Sequence, residues 1–441
     1  MASYPFILNS FPVTLAAGNR NDAYAVGEYD SAAQRLQIVG DSSSSPTGAT
    51  GPLLGRLWEI GGVSPFSTVD LNAITATFSS TAYGLNNLFP SQVVGKAVKQ
   101  LGGPELPVLW EKTGGTFLNT LGGGGEARDI NNSGSIVGYT YNGAGQKRAT
   151  LWKKGSINPT DLGTLGGNES EAFAINESGQ VVGYARNAAG QRKAFITNPA
   201  TQLMQELPIS PGSESIANDI NDAGNVVGQI MGSDLGFFWN PASGVQTSSG
   251  LGSSTSFLAI NDLDNAVGYS FIPGSPEFHA ILWSVGGVTD LHKSIDPSLG
   301  WLLNTATGIN NRGDIVGVGR NSTFHIRGFH LEPVLQVREI DIVFGEVFRL
   351  IGGVPFDGEG IGISIAGRII RIPPRNPMNF YVYDSALSLL LYHLSDQLSN
   401  NDSSERIKQI LLKNMHRNIE ALSTTSKNTK TFQLYGEIEK G

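Results

Sequence analysis

Ionisable and aromatic side chains that could bind a ligand or catalyse a reaction recur at two fixed positions of a repeated sequence unit. In the first four units, one position holds three aromatic rings and a guanidinium. A second position, two residues earlier, adds three carboxylates. The set comprises Tyr24, Tyr83, Glu126, Arg128, Glu171, Phe173 and Asp22. A phenol or a carboxylate can act as a general base, and a guanidinium can stabilise a developing negative charge. The same groups suit a small-molecule pocket, although they could equally fill a channel with hydrogen bonds and ion pairs. We assign them as candidate binding residues and assign no catalytic residue.

The unit that carries these residues has the pattern Ala-x-x-Ile-Asn-x-x-Gly-x-Val-Val-Gly, which is clearest at 172–183. Similar segments occur at 82–95, 127–138, 217–228, 257–268 and 306–317, and an interrupted copy occurs at 23–40. In five units a Trp follows the pattern, at Trp58, Trp110, Trp152, Trp239 and Trp283. Successive units are about 40–50 residues apart, the length of one four-stranded propeller blade. We therefore predict an all-β, seven-bladed β-propeller with the Trp side chains in the core between blades.

Each unit is predicted to form four short strands, because runs of Val, Ile, Phe and Tyr alternate with turn sequences rich in Asn and Gly. In the fourth unit we expect strands at 172–176, 180–187, 192–197 and 203–207. The segment 6–11 stands where other units have a fourth strand, so we expect it to complete the last blade and close the ring. The Asn-x-x-Gly corners are expected to be tight turns rather than calcium loops, because they carry few carboxylates.

The repeats end near residue 333, which predicts three regions along the chain. We expect the propeller over 1–333, a β-rich appendage over 334–378, and a helical hairpin with a polar tail over 379–441. Stripes of Leu and Ile in the last region are typical of amphipathic helices. These helices could pack on the propeller or join copies of the chain in a homo-oligomer.

The segment Asp161-Leu162-Gly163-Thr164-Leu165-Gly166-Gly167 leads into the clearest copy of the pattern. This combination resembles the HAF repeat family, whose members are usually described as extracellular repeat proteins, over roughly residues 5–333. The resemblance implies a repeat fold and no particular activity. The first unit departs from the family pattern, since Gly27 replaces the Asn and residues 28–35 are inserted.

Composition excludes several classes of protein. Charged residues make up 15% of the chain and the formal net charge is -8, which argues against a general nucleic-acid binder. The chain has no Cys, so disulfides, thiolate metal sites and Cys nucleophiles are excluded, and we expect no metal or cofactor. No apolar run is long enough to span a bilayer and no signal peptide is visible. That favours a cytoplasmic location, whereas the family resemblance implies an extracellular one.

Two function classes remain open. The first is a propeller that binds a small molecule or a protein at one mouth of its central channel. The alternative is an enzyme whose active site lies at the channel mouth and uses Tyr, Arg and carboxylate chemistry. A resemblance in architecture to propeller-containing alkylating enzymes of cyanobacterial natural-product pathways implies a tailoring or alkylating reaction for this alternative.

Overall fold

The chain divides into two compact units, Met1–Val334 and Leu335–Gly441. The computed structural model describes residues 6–10, 20–29, 35–43, 53–61, 66–71, 77–88, 90–112, 114–209, 212–274 and 277–333 of the first unit. In the second unit it describes residues 337–339, 361–365, 368–372 and 381–383.

The first unit contains seven four-stranded antiparallel sheets, which are the blades of a propeller. Strand β1 (Phe6–Ser10) belongs to the last blade. Blade 1 comprises β2 (Arg20–Val26), β3 (Arg35–Ser43), β4 (Leu53–Gly61) and β5 (Phe66–Asp70). Blade 2 comprises β6 (Ser79–Leu85), β7 (Val93–Val98), β8 (Glu105–Glu111) and β9 (Gly114–Phe117). Blade 3 comprises β10 (Gly122–Ile130), β11 (Ile136–Asn142), β12 (Lys147–Trp152) and β13 (Pro159–Asp161).

The remaining blades follow in chain order. Blade 4 comprises β14 (Gly166–Ile175), β15 (Val181–Asn187), β16 (Arg192–Thr197) and β17 (Met204–Glu206). Blade 5 comprises β18 (Ser215–Ile220), β19 (Val226–Ile230), β20 (Leu235–Asn240) and β21 (Gly244–Ser248). Blade 6 comprises β22 (Ser253–Ile260), β23 (Ala266–Phe271), β24 (Phe278–Ser284) and β25 (Gly287–Asp290). Blade 7 comprises β26 (Leu302–Ile309), β27 (Ile315–Arg320), β28 (Ile326–Pro333) and β1. Two 3₁₀ turns, Leu291–Ser294 and Pro297–Leu299, connect blades 6 and 7.

The first strands of the blades surround a central channel, because each contacts the first strand of the next blade and the last contacts the first. In every blade the first strand runs from what we term the upper face to the lower face. The upper face therefore carries the turns between second and third strands and the links between blades. The lower face carries the turns between first and second strands, which contain the repeated Asn.

The N-terminal strand closes the ring, as the sequence predicted. β1 pairs antiparallel with β28, from Phe6 opposite Pro333 to Ser10 opposite Phe329. Blade 7 also bonds directly to blade 1, because Thr307 Oγ1 donates to Ala23 O at 2.8 Å. Main-chain pairing and side-chain bonds thus join the two ends of the ring.

The Trp side chains occupy the predicted core. Four of the five repeat Trp side chains are buried, and Trp239 is half-buried against the apolar cluster shared by blades 4 and 5. In the two units without Trp, Thr197 and Leu331 are buried at the same position. The observed strands match those predicted for the fourth unit to within one residue at each end, except that β14 begins at Gly166 rather than Ala172. Its first residues are mostly polar and Gly, so their strand conformation comes from pairing with β15 rather than from local propensity.

The second unit contains two short antiparallel pairs. β29 (Val337–Glu339) pairs with β32 (Tyr381–Tyr383), and β30 (Ile361–Ile365) pairs with β31 (Arg368–Ile372). The predicted helical hairpin lies outside the described residues, so the boundaries at 378 and 379 and the oligomer through the helices stay predictions.

Candidate functional site

All seven first strands carry a β-bulge at the same place. In β10, Ala127 pairs with Gly138 and Asp129 pairs with Val137, which leaves Arg128 between them without a partner residue in the ladder. The equivalent bulge residues of the other blades are Tyr24, Tyr83, Phe173, Asn218, Leu258 and Thr307. A bulge re-aims its side chain and removes it from the pairing pattern. Each blade therefore brings one residue to the channel whose identity the sheet does not dictate.

The glycine that ends each repeat makes room for this strand. A Cβ atom at Gly138 would lie 2.0 Å from Glu126 O, and one at Gly183 would lie 2.0 Å from Glu171 O. No side chain fits at those distances, so the second strand must have Gly where the first strand approaches it.

An arc of aromatic rings and one guanidinium runs around the channel from blade 1 to blade 4, and we call the part of the channel that the bulge residues line the mouth. The ring centroids of Tyr24 and Tyr83 are 5.6 Å apart. Arg128 Cζ lies 4.6 Å from the centroid of Tyr83 and 5.9 Å from that of Phe173. Phe173 in turn lies 6.0 Å from Tyr184. The guanidinium therefore sits between two rings in cation–π geometry.

A chain of alternating charges runs through the same mouth. Lys96 Nζ lies 2.8 Å from Glu126 Oε1, and Arg128 Nη2 lies 2.9 Å from Glu126 Oε2. Arg128 Nη2 also lies 3.2 Å from Glu171 Oε1, and Lys147 Nζ lies 2.8 Å from Glu171 Oε2. The glutamate side chains are 5% exposed and that of Arg128 is 29% exposed. The two carboxylates are thus buried behind a guanidinium that solvent can reach.

The blade 1 end of the mouth is held by two buried aspartates. Tyr24 Oη lies 3.2 Å from Asp41 Oδ2 and 3.5 Å from Asp22 Oδ2, and Thr81 Oγ1 donates to Asp41 Oδ2 at 3.3 Å. All seven residues that the sequence singled out therefore lie together in one network. Whether they bind a ligand stays a prediction.

Sequence reasoning missed the partners that come from the second and third strands. Asp41, Lys96 and Tyr139 each follow a repeat Gly in the second strand of their blade. In the strand ladder they pair with Asp22, Thr81 and Glu126, respectively. Their place directly after Val-Gly was a usable signal. Lys147 begins a third strand, where nothing in the repeat pattern marks it.

Burial and charge set the protonation of these groups. Burial alone would raise the pKa of Glu126, but Arg128 and Lys96 outweigh it and the pKa is lowered. Burial, reinforced by Glu126, raises the pKa of Tyr83. Burial and then Glu171 raise the pKa of Tyr184 to about 12. The carboxylate of Glu126 therefore stays charged at neutral pH, and these phenols stay protonated.

The network leaves two buried atoms without hydrogen-bond partners among the described residues. Arg128 Nε makes no hydrogen bond, and Glu126 Oε2 lies near Arg128 Nη2 without hydrogen-bond geometry. A buried donor without an acceptor costs about 1–3 kcal/mol. Nε is shielded from solvent, so a ligand in the mouth would meet the exposed part of the Arg128 side chain rather than this atom.

Blades 5 to 7 place smaller side chains at their bulges. Asn218 Nδ2 donates to Phe257 O at 2.7 Å, and Thr307 is bonded to blade 1. Leu258 is apolar and half-buried. One side of the mouth is thus aromatic and charged, and the other is small and largely committed to contacts between blades.

The Asn-x-x-Gly corners are turns that also join the blades. Asn176 Oδ1 accepts a hydrogen bond from Gln180 N at 2.9 Å, and Gly179 has a φ of 81°, which favours glycine. Asn176 Nδ2 donates to Asn221 O in the next blade at 3.1 Å.

Within the described ranges, no three His, Asp or Glu side chains are arranged to hold a metal ion. In the same part of the chain, no helix is long and apolar enough to cross a membrane.

Comparison with known proteins gives structural likenesses only. No protein-family model and no curated protein matches the chain, so the HAF expectation has no support from a family model. Virginiamycin B lyase from Staphylococcus aureus, solved as an inactive variant with quinupristin, is 9% identical, with a TM-score of 0.45 over 75% of this chain and 100% of that one. YCF48 bound to D1 peptide is 12% identical, with a TM-score of 0.43 over 76% and 97%. TolB from Acinetobacter baumannii is 10% identical, with a TM-score of 0.39 over 68% and 64%. The seven closed sheets identify the first unit as a seven-bladed β-propeller.

Proposed function

We propose that this protein is a binding propeller with a small-molecule pocket at one mouth of its central channel, formed around Arg128. The observation that carries the proposal is the position of this guanidinium. It lies between Tyr83 and Phe173, it is partly open to solvent, and its buried Nε has no acceptor among the described residues.

The alternative to a pocket is a set of side chains that merely fills the channel. A pure filling network would be expected to satisfy its buried donors, because each unsatisfied one reduces stability. Here Nε of Arg128 lacks an acceptor, while the rings beside it are half-buried rather than enclosed. The bulge residues also differ from blade to blade within a constant frame, which favours specificity over packing.

The chemistry of the mouth selects the kind of ligand. A planar ring can stack on Tyr83 or Phe173, and a carbonyl, carboxylate or hydroxyl oxygen can accept a hydrogen bond from the partly exposed guanidinium of Arg128. The ligand would extend toward Leu258 and Thr307, where the bulge residues are smaller. We therefore propose a small ring compound with an oxygen acceptor on its edge.

Catalysis at this mouth is less well supported. A Tyr base would need a lowered phenol pKa, whereas burial raises that of Tyr83 and of Tyr184. A glutamic acid donor would need a raised pKa, whereas that of Glu126 is lowered by Arg128 and Lys96 against the effect of burial. The protonation states fit a binding site that donates and accepts hydrogen bonds.

The test is to identify what binds and which side chains hold it. The full chain would be purified, denatured, and its released small molecules analysed by mass spectrometry. Thermal shifts would then be measured with aromatic carboxylates, amides and sugars on wild type and on Tyr83→Leu and Phe173→Leu. Phe278→Leu is the matched control, because Phe278 is an exposed aromatic of the upper face on blade 6. Binding that weakens at least tenfold in the first two variants and not in the control supports the pocket. A ligand whose affinity survives both variants, or a protein partner that binds all three equally, would contradict it.

A further inference from the structure

A closed circle of hydrogen bonds surrounds the channel at the lower face. In each blade, one residue directly follows the repeat Asn; in blade 1 it follows Gly27, which replaces that Asn. This residue donates its main-chain N–H to the side-chain oxygen of the equivalent residue in the next blade. We call these seven residues the collar: Glu28, Asn87, Asn132, Glu177, Asp222, Asp262 and Asn311. In chain order from Glu28 N the distances are 2.8, 2.6, 2.7, 2.9, 3.0, 2.8 and 2.9 Å. The collar ties every blade to its successor.

The link from blade 7 to blade 1 differs from the other six. Its two sides are separated by 283 residues, from Asn311 to Glu28. The chain joins the two blades only through β1, which is held in blade 7 by its hydrogen bonds to β28. At this seam, Asn311 N donates to Glu28 Oε1 at 2.9 Å and Asn310 Nδ2 donates to Gly27 O at 3.0 Å. Glu28 is therefore the collar carboxylate on which the closing link depends.

The charges that face Glu28 are mostly negative. Asp262 comes from blade 6, and Asp314 and Arg312 come from the turn of blade 7. Arg312 is already bonded to Asp314, with Nε 2.6 Å from Oδ2, and its Nη1 lies 3.7 Å from Glu332. His330 Nε2 lies 2.8 Å from Asp314 Oδ1. From blade 2 the collar neighbour is Asn87, which is uncharged, and the phenol of Tyr29 contacts Arg312.

We propose that Glu28 makes the seam between blades 7 and 1 sensitive to pH, so that the ring closes most tightly while this side chain carries a proton and loosens as it ionises. The ionised form is half-buried near two other carboxylates, and Arg312, the cation that acts on it, is shared with Asp314. The neutral form keeps an oxygen that accepts the hydrogen bond from Asn311 N. Protonation therefore removes repulsion without removing the link.

The direction of the effect follows from the titration. Burial, aided by Asp262 and Asp314, raises the pKa of Glu28 from 4.5 to about 7. A raised pKa in the folded state means that the stabilisation is fully present below 4.5 and is lost as the pH rises through 7. The size of the shift corresponds to a change in the unfolding equilibrium constant on the order of a hundredfold.

The test compares wild type with Glu28→Gln, which keeps an acceptor oxygen and cannot ionise. Unfolding by urea would be followed by Trp fluorescence on the full chain between pH 5 and pH 8. We expect the unfolding constant of wild type, relative to the variant, to rise on the order of a hundredfold across this range. Glu332→Gln is the matched control, since Glu332 is an exposed carboxylate near the same Arg312, and it should leave the pH profile of wild type unchanged.

Two measurements keep the proposal falsifiable if Glu28→Gln does not fold. The carboxyl carbon of Glu28 in wild type would be titrated by NMR, and a midpoint near the ordinary glutamate value would overturn the proposal. The exchange rate of the Asn311 amide, corrected for intrinsic pH dependence, should increase above neutrality in wild type. Parallel pH profiles for wild type and Glu28→Gln would overturn it as well.

Discussion

Replacing Arg128 by Met removes the centre of the charged chain at the mouth and leaves most of the apolar volume of the side chain. Glu126 and Glu171 would each keep one lysine at 2.8 Å, so neither carboxylate becomes fully unpaired. The lost hydrogen bond to Glu171 at 3.2 Å is worth about 1.5 kcal/mol, the charge contact with Glu126 at 2.9 Å about 1 kcal/mol, and the contact with Tyr83 about 1 kcal/mol. Release from the cost of burying the guanidinium offsets part of this. We expect a net loss of about 3 kcal/mol in the free energy of unfolding.

The assay is equilibrium unfolding in urea at pH 7 and at several values down to pH 3. Because Arg128 is the largest cause that lowers the pKa of Glu126 against burial, its stabilising effect is present above 4.5 and is lost as the pH falls through the folded-state pKa. The difference between wild type and Arg128→Met should therefore shrink in acid. Lys147→Met is the matched control, since it removes one contact of Glu171 and leaves Glu126 untouched.

Either of two results would refute this reasoning. An Arg128→Met variant as stable as wild type would mean that the charged chain contributes nothing to the mouth. A difference that stays constant down to pH 3 would mean that Glu126 does not respond to Arg128. Measured beside ligand binding, the same variant separates the two interpretations of the site, because a network that only fills the channel would lose stability and have no ligand affinity to lose.

Three further predictions concern the frame. Ser170→Ala should lower the free energy of unfolding by about 2 kcal/mol in urea titrations, because Ser170 Oγ accepts from Ala149 N at 2.9 Å in the preceding blade and is fully buried; no loss would mean that the bond between blades is replaced by water. Phe324→Gly should raise the melting temperature and the free energy of unfolding, the latter by about 0.5–1 kcal/mol. Phe324 is 83% exposed and has a φ of 62°, at a position where the matching hairpin of blade 3 has Gly145. A lower melting temperature would show that the exposed ring packs in solution. For Asp219→Asn, the stability of wild type relative to the variant should fall as the pH rises from 4 through 8, because burial and then Asp129 raise the pKa of Asp219 to about 8. The same difference in unfolding free energy between wild type and variant at pH 5 and at pH 9 would exclude this.

The parts of the fold that the sequence predicted correctly are those that depend on repetition. Ring closure by the N-terminal segment could be inferred because that segment fills an empty position in the last unit, and β1 pairs with β28 there. The Trp core could be inferred because the same residue type recurs at one position, and Trp110 and Trp152 are buried between blades. Repetition samples one structural environment seven times, so departures in a single unit do not hide it.

The collar is a feature that repetition of residue types in the sequence does not reveal. Glu28, Asn87 and Asp222 are different residue types, so no consensus marks their position. They share an oxygen at the end of a short side chain, which is the property that the link between blades requires. A search for shared hydrogen-bonding capacity, rather than shared identity, would have found the position after the repeat Asn.

The bulge explains why one scaffold can hold a constant frame and a variable mouth. Residues on either side of Arg128 are fixed by pairing, since Ala127 faces a Gly that cannot be larger and Asp129 pairs with a buried Val. Arg128 itself has no partner residue across the strand, so its replacement changes contacts at the mouth and leaves the ladder intact. Tyr83 and Phe173 occupy the same kind of position in the flanking blades. Exchanging the residues at these positions, for example Phe173→Arg, should therefore alter what the mouth binds while the far-ultraviolet circular dichroism of the propeller stays unchanged. A collapse of the sheet signal on such exchanges would show that the bulge residues belong to the frame after all.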